Sequence, residues 1–184
     1  MPNKNRLRIF YFSHLSTPPS NRLIYRAILR HQTRKIVELG IGTGARAGRM
    51  IEVAAQHYPR PQIELTAIDP FEARSAADGP GVSLKKAHRL FRATGAHVRL
   101  VPGDPLAGLA RVANALGQVD LLVVSARLDP QSMARAWFYV PRLLHERSEV
   151  FLETLHAAGR TSVRPVSRAE VENLANAGTR RRAA

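Results

Sequence analysis

Cysteine is absent from the 184 residues, which excludes disulfides, thiolate metal sites and cysteine nucleophiles from this chain. Whatever chemistry occurs uses oxygen, nitrogen or a cofactor. No run of about 18 apolar residues occurs that could span a bilayer, and the apolar stretch within Met1 to Ser16 is too short and interrupted for a secretory signal. The expectation is a cytoplasmic protein with no membrane partner. Acidic residues are also scarce, 14 against 28 basic ones, giving a net charge of +14. Residues 1–37 carry eight basic groups and no acid, residues 38–155 are nearly balanced at 14 basic to 12 acidic, and residues 156–184 carry six to two. Basic ends on a balanced body raise encounter rates with polyanions, so a nucleic-acid partner is one reading. The other is compositional: 24 of the 28 are arginine and alanine is abundant, as a GC-rich genome writes on any protein.

What is present fits a globular chain. Apolar residues make up 45% and charged residues 23%, and the length suits a single core. Ile9 to Phe12 is an apolar patch, followed by a segment that Pro18 and Pro19 break. From Ser20, placed as an N-cap, Leu23, Ile24, Ala27 and Ile28 recur at helical spacing to about His31. Lys35 to Leu39 reads as a strand running into Gly40-Ile-Gly-Thr-Gly44, with a helix from Ala45 to His57 and a second strand from Ile63 to Ile68 ending at Asp69-Pro70. Phe71 to Gly81 lacks periodicity and reads as a loop. Helix, strand, helix and strand follow over 82–94, 98–101, 105–116 and 120–125, the last apolar enough to lie mid-sheet. A helix over 130–139 and a strand over 149–153 complete the alternation.

Five strands alternating with helices predict an α/β fold, a doubly wound, mostly parallel open sheet, with ligands at the carboxyl ends of the strands. The organisation expected is a basic leading segment and helix over 1–34, a cofactor-binding core over 35–156, and a helix with a basic, frayed tail over 157–184. The glycines at 40, 42 and 44 let backbone approach a ligand. Alone they suit a dinucleotide, a phosphate or a tight turn.

Glu38 ahead of the glycines, Asp69 closing the second strand, Gly103-Asp104 closing the third, and Val140-Pro-Arg-Leu-Leu144 leading into the fifth narrow the choice. Together they resemble the class I S-adenosylmethionine-dependent methyltransferases, over roughly residues 35–154. The resemblance implies a Rossmann-like fold, S-adenosylmethionine as cofactor and methyl transfer to an unknown acceptor, RNA or a small molecule. It also implies cofactor-site roles for Glu38, Gly40, Ile41, Gly42 and Gly44, for Asp69 and Pro70 at the ribose hydroxyls, for Gly103, Asp104 and Pro105 beside the adenine, and for Ser125 at the fourth strand's end. Each acid has a plainer use: Asp69 in a turn before Pro70, Asp104 as a helix cap, Glu38 on backbone amides.

The pattern is nearest the small O-methyltransferases, which place a metal-binding Asp where this chain has Ser125, with Arg127 two positions on; a serine and an arginine make no hard-cation site. Metal-independent transfer is expected. By position, His14, Asp129 and His156 are the candidate bases, and none is assigned. The family's terminal hairpin of two further strands is also reduced: past Glu153 only Thr161 to Val166 is extended, and Pro165 demotes it. An uncovered sheet edge is then open to a second copy of the chain. The alternatives are a noncatalytic module of the same fold and, third, a nicotinamide-dependent oxidoreductase.

Overall fold

Short β-branched runs separated by amphipathic helices set the layout. The computed structural model describes residues 4–183, the side chains of residues 4, 5, 77, 158 and 179–183 excepted. Six strands form one sheet: β1 (Lys35–Leu39), β2 (Glu64–Asp69), β3 (His97–Pro102), β4 (Val119–Val124), β5 (Leu144–Leu155) and β6 (Thr161–Val166), in the order β3-β2-β1-β4-β5-β6. The first five are parallel and β6 runs antiparallel to β5. Winding reverses between β1 and β4, so their carboxyl ends flank the switch-point crevice where such sheets bind ligands.

Strand side chains alternate between two helical layers with period two. Ile36, Leu121, Val123 and Phe151 join α2 (Asn21–His31), α3 (Ala45–Ala54) and α4 (Leu84–Arg92) in one core. Val37, Leu39, Leu122 and Val124 join α5 (Pro105–Leu116), α6 (Pro130–Ala136) and α7 (Arg168–Ala183) in the other. β4, the most apolar run, lies between β1 and β5, as expected of a strand buried on both faces. Glu38 falls on the α2–α3 face, where the same alternation would otherwise place an aliphatic side chain.

Several elements depart from the sequence reading. Residues 4–15 are not merely a patch: α1 (Lys4–Phe10) runs into a π-helical turn, Tyr11–Leu15, and Ile9 and Phe12 enter the core. The proline break falls after these turns. Ser20 precedes α2 but makes no capping bond; its hydroxyl lies 3.4 Å from Thr161 Oγ1. The 71–81 segment holds two short 3₁₀ turns, Phe71–Ala73 and Ala76–Asp78. Thr161–Val166 is a full edge strand, because an edge tolerates the missing N–H of Pro165. It covers β5, so the open edge anticipated there does not exist, and the edges are β3 and β6. α7 continues through Ala183, so the basic tail expected to fray is helical. Gly178 does not stop it: a Cβ there would lie 2.4 Å from Ala134 O, so the glycine lets α7 cross tightly over α6.

Candidate cofactor site

The turn after β1 is possible only with glycine. Gly40 has φ +79°, and a Cβ there would sit 2.8 Å from Leu128 Cδ2 and 2.9 Å from the Ser125 Cβ. Gly42, at φ +57°, turns its N–H onto Asp69 Oδ2 at 3.2 Å. Both residues face a cavity of about 340 Å³ that Pro70, Arg74, Ser125, Arg127 and Glu153 also line. Pro18 adds a wall from the leading segment.

Beneath the turn lies a charge cluster. Arg46 Nε, on α3, donates to Glu38 Oε1 at 2.6 Å, and Arg46 Nη1 stands 3.2 Å from Glu153 Oε2. Ser125 Oγ and the Ala126 N–H also donate to Glu153 Oε2, each at 3.3 Å. Burial pushes the Glu38 pKa up; Arg46 opposes this, while the Glu153 and Asp69 carboxylates add to it. Burial disfavours the Arg46 charge too, but Glu38 and Glu153 outweigh it and raise the pKa. Two carboxyl groups thus share one guanidinium. Glu38 Oε2 is buried with no hydrogen-bond partner among the described residues, and a buried carboxylate oxygen without a donor is costly. The Tyr25 hydroxyl, from α2, is buried beside the same charges; burial raises its pKa and Arg49 opposes the rise.

Asp69 is fully buried and saturated. Its Oδ1 accepts from the Phe71 N–H at 2.8 Å and from Arg74 Nε at 3.0 Å, while Oδ2 takes the Gly42 N–H and Arg74 Nη2. Phe71 adopts φ +50°, a left-handed conformation rare for a bulky residue, which aims its N–H at Asp69. Gly81 makes room for the arginine, since a Cβ there would lie 2.2 Å from Arg74 Cδ.

Of the residues singled out in the sequence, Gly40, Gly42, Pro70 and Ser125 line the cavity; Asp69 connects to it through Arg74 and Gly42, and Glu38 through Arg46 and Glu153. Ile41 is buried in the core, and Gly44 precedes α3 under Leu90. Gly103, Asp104 and Pro105 do not line it: Asp104 caps α5, accepting the Leu106 N–H at 2.9 Å and the Ala107 N–H at 3.1 Å, and also holds the Ser132 hydroxyl. Burial alone would raise the Asp104 pKa, but Ser132 and the backbone donors hold it down. The candidate bases point elsewhere. His14 stacks on Phe10, Asp129 caps α6 through the Ser132 N–H, and His156 Nε2 meets Ser162 Oγ at 2.6 Å. Arg46, Glu153 and Arg74 escaped the sequence reading. A trace existed in each: an arginine just inside the glycine-capped helix, an acid two residues short of the end of β5, and an arginine five residues past the β2 acid. Among the described residues no group of three His, Asp or Glu is placed to hold a metal ion, and no helix is long and apolar enough to cross a membrane.

No family model matches the sequence, and no curated protein matches it. Solved structures do. An O-methyltransferase from Streptomyces achromogenes involved in tomaymycin synthesis, crystallised with S-adenosylmethionine, superposes with a TM-score of 0.56 at 15% identity, over 83% of this chain and 66% of that one. The class I methyltransferase fold is shared. An O-methyltransferase from Bacillus cereus, in complex with S-adenosylhomocysteine, gives 0.54 at 14% identity over 83% and 67%. The precorrin-6y C5,15-methyltransferase from Geobacter metallireducens gives 0.50 at 18% over 78% and 66%. This methyltransferase-fold chain thus spans about two thirds of the length of these proteins.

Proposed function

We propose that the chain is a metal-independent S-adenosylmethionine methyltransferase, its cofactor seated in the cavity between the β1 turn and Asp69. The observation that carries the reading is the unpartnered, buried Glu38 Oε2 beneath a glycine turn in a fold shared with methyltransferases. A donor such as the cofactor's ammonium is the group such an oxygen lacks, and the Glu153 carboxylate that lines the cavity complements a cation there. Gly40 and Gly42 would carry the backbone around the ligand, and Asp69 would take the ribose hydroxyls once Arg74 turns aside. When bound, the cofactor supplies an already activated methyl group, so alignment and exclusion of water are what the chain must add. Ser125 and Arg127 in place of a hard-cation ligand set support transfer without metal.

The test is calorimetry with S-adenosylhomocysteine and NAD side by side. Adenosylhomocysteine binding, unaffected by chelator and without matching NAD binding, supports the reading. NAD binding alone, or neither, overturns it.

A further inference from the structure

A second cavity, of about 300 Å³, opens beside the first on the α6–α7 face of the sheet. Val124, Leu152, Met133, Trp137, Leu174 and Ala177 line it. Ser125, Leu128 and Glu153 border both cavities, so the two meet at the carboxyl ends of β4 and β5. Its volume lies at the low end for small-molecule sites, enough for one or two rings, and an apolar lining with few placed polar groups is what such sites show. α7 is held over it by the close crossing at Gly178.

We propose that this cavity is the acceptor site, and that it takes a small, uncharged, largely apolar molecule that presents an O–H or N–H to Glu153. The inference rests on the cofactor reading above and names the substrate class. Glu153 and Ser125 are the cavity's polar side chains apart from the Trp137 indole N–H, and Ser125 already spends its hydroxyl proton on Glu153. All three donors on Glu153 fall on Oε2, so the carboxylate retains accepting capacity at Oε1. Glu153 is the one charged side chain among the residues lining this cavity, so an incoming carboxylate or phosphate meets a like charge. That argues against RNA as acceptor. Trp137 offers a flat, mostly buried face for a ring.

Trp137 is also the chain's single tryptophan, so a full-length protein labelled with 5-fluorotryptophan gives one ¹⁹F resonance from the cavity wall. Titration with p-cresol is expected to shift that resonance saturably, and p-toluate, its carboxylate counterpart, to bind at least tenfold more weakly. Ala177→Phe, which narrows the cavity from α7, is expected to weaken p-cresol binding at least fivefold while adenosylhomocysteine affinity by calorimetry stays within twofold. Glu153→Gln is expected to erase the preference for the neutral probe. No saturable shift with p-cresol, equal affinity for the two probes in the unmutated protein, or undiminished binding by Ala177→Phe overturns the assignment. Failure of p-cresol beside intact adenosylhomocysteine binding overturns the acceptor cavity alone, whereas failure of adenosylhomocysteine overturns the cofactor reading beneath it.

Discussion

Arg74 and Asp69 form a buried bidentate pair in which the guanidinium occupies both carboxylate oxygens. Arg74 Nη1 also donates to Asp78 O at 2.7 Å, tying the pair to the 71–81 segment. Such fork-to-carboxylate bonds are the strong ones, so in the proposed cofactor site a ribose would have to compete with the arginine for the same two oxygens.

Replacing Arg74 with Ala removes the competitor. Adenosylhomocysteine affinity measured by calorimetry is expected to rise about fivefold, or about 1 kcal/mol, while the ligand-free protein melts lower because Asp69 keeps a buried charge with fewer partners. Reduced affinity with an unchanged melting temperature would show that Arg74 holds the ligand instead of displacing it.

The β1 turn gives a second expectation. Gly42→Leu puts a bulky side chain into the cavity at φ +57°, where a Cβ lies 3.4 Å from Pro80 O. Left-handed backbone costs about 1–2 kcal/mol for such a residue, which a domain with 5–15 kcal/mol of stability survives. Circular dichroism should therefore report a folded protein, and calorimetry no adenosylhomocysteine binding. Unchanged affinity would place the ligand elsewhere.

Local signals made most of the fold readable. Strand-then-glycine at Leu39-Gly40, Asp-Pro at 104–105 and the aliphatic run at 120–124 each specify their own element, and five parallel strands follow from the alternation. The misses have a common cause. Gly178 and Pro165 are breakers by local chemistry, yet the first sits at a helix crossing and the second on an edge strand; Pro18 and Pro19 do break the chain, but only after helical turns whose inner face is buried. At the site, Glu38 and Asp69 were visible by position, but their partners Arg46, Glu153 and Arg74 become partners only when α3, β5 and the 71–81 segment meet. Asp104 shows the reverse: its helix-capping chemistry is local, and the structure uses it for that.

Asp120 couples stability to pH. Its Oδ2 accepts the Arg34 and Lys35 N–H groups at 2.7 and 2.8 Å, and His145 Nε2 stands 3.0 Å from Oδ1, pinning the starts of β1 and β5 together. Burial by itself would raise the Asp120 pKa, but these backbone donors and His145 outweigh it and hold the pKa low. A carboxyl with a folded pKa below its unfolded value of about 3.9 stabilises the fold above that value and loses the effect as pH falls through the folded pKa. Asp120→Asn keeps neutral hydrogen bonds and forfeits the charge, about 1 kcal/mol or roughly 2–4 °C in Tm near pH 7. The gap to the unmutated protein should close below about pH 4. A constant gap across the acid range would assign the effect to packing.

The basic leading segment yields the last expectation. Arg22, Arg26 and Arg30 recur every four residues along α2 and form one stripe, opposite Ile24, Tyr25, Ala27 and Ile28, which are buried. The stripe is thinner than the sequence suggests. Arg22 Nε donates to Ser16 O at 2.9 Å, Arg8 pairs with Glu52 at 2.9 Å, and Arg34 and Lys35 stand 3.8 and 3.7 Å from Glu64. Arg26 and Arg30 remain the exposed members of the stripe, and two neutralised phosphates give only a shallow salt dependence. Single-stranded RNA should therefore bind more weakly than about 10⁻⁵ M at physiological salt, within the non-specific range. The double reversal Arg26→Glu with Arg30→Glu should leave the fold intact, because the apolar face of α2 sets the helix in place. Filter binding at about 50 and 200 mM salt decides: sub-micromolar affinity that the double reversal weakens more than tenfold would make this face an RNA platform, whereas weak binding in both proteins leaves it the solvated side of a helix whose other side builds the core.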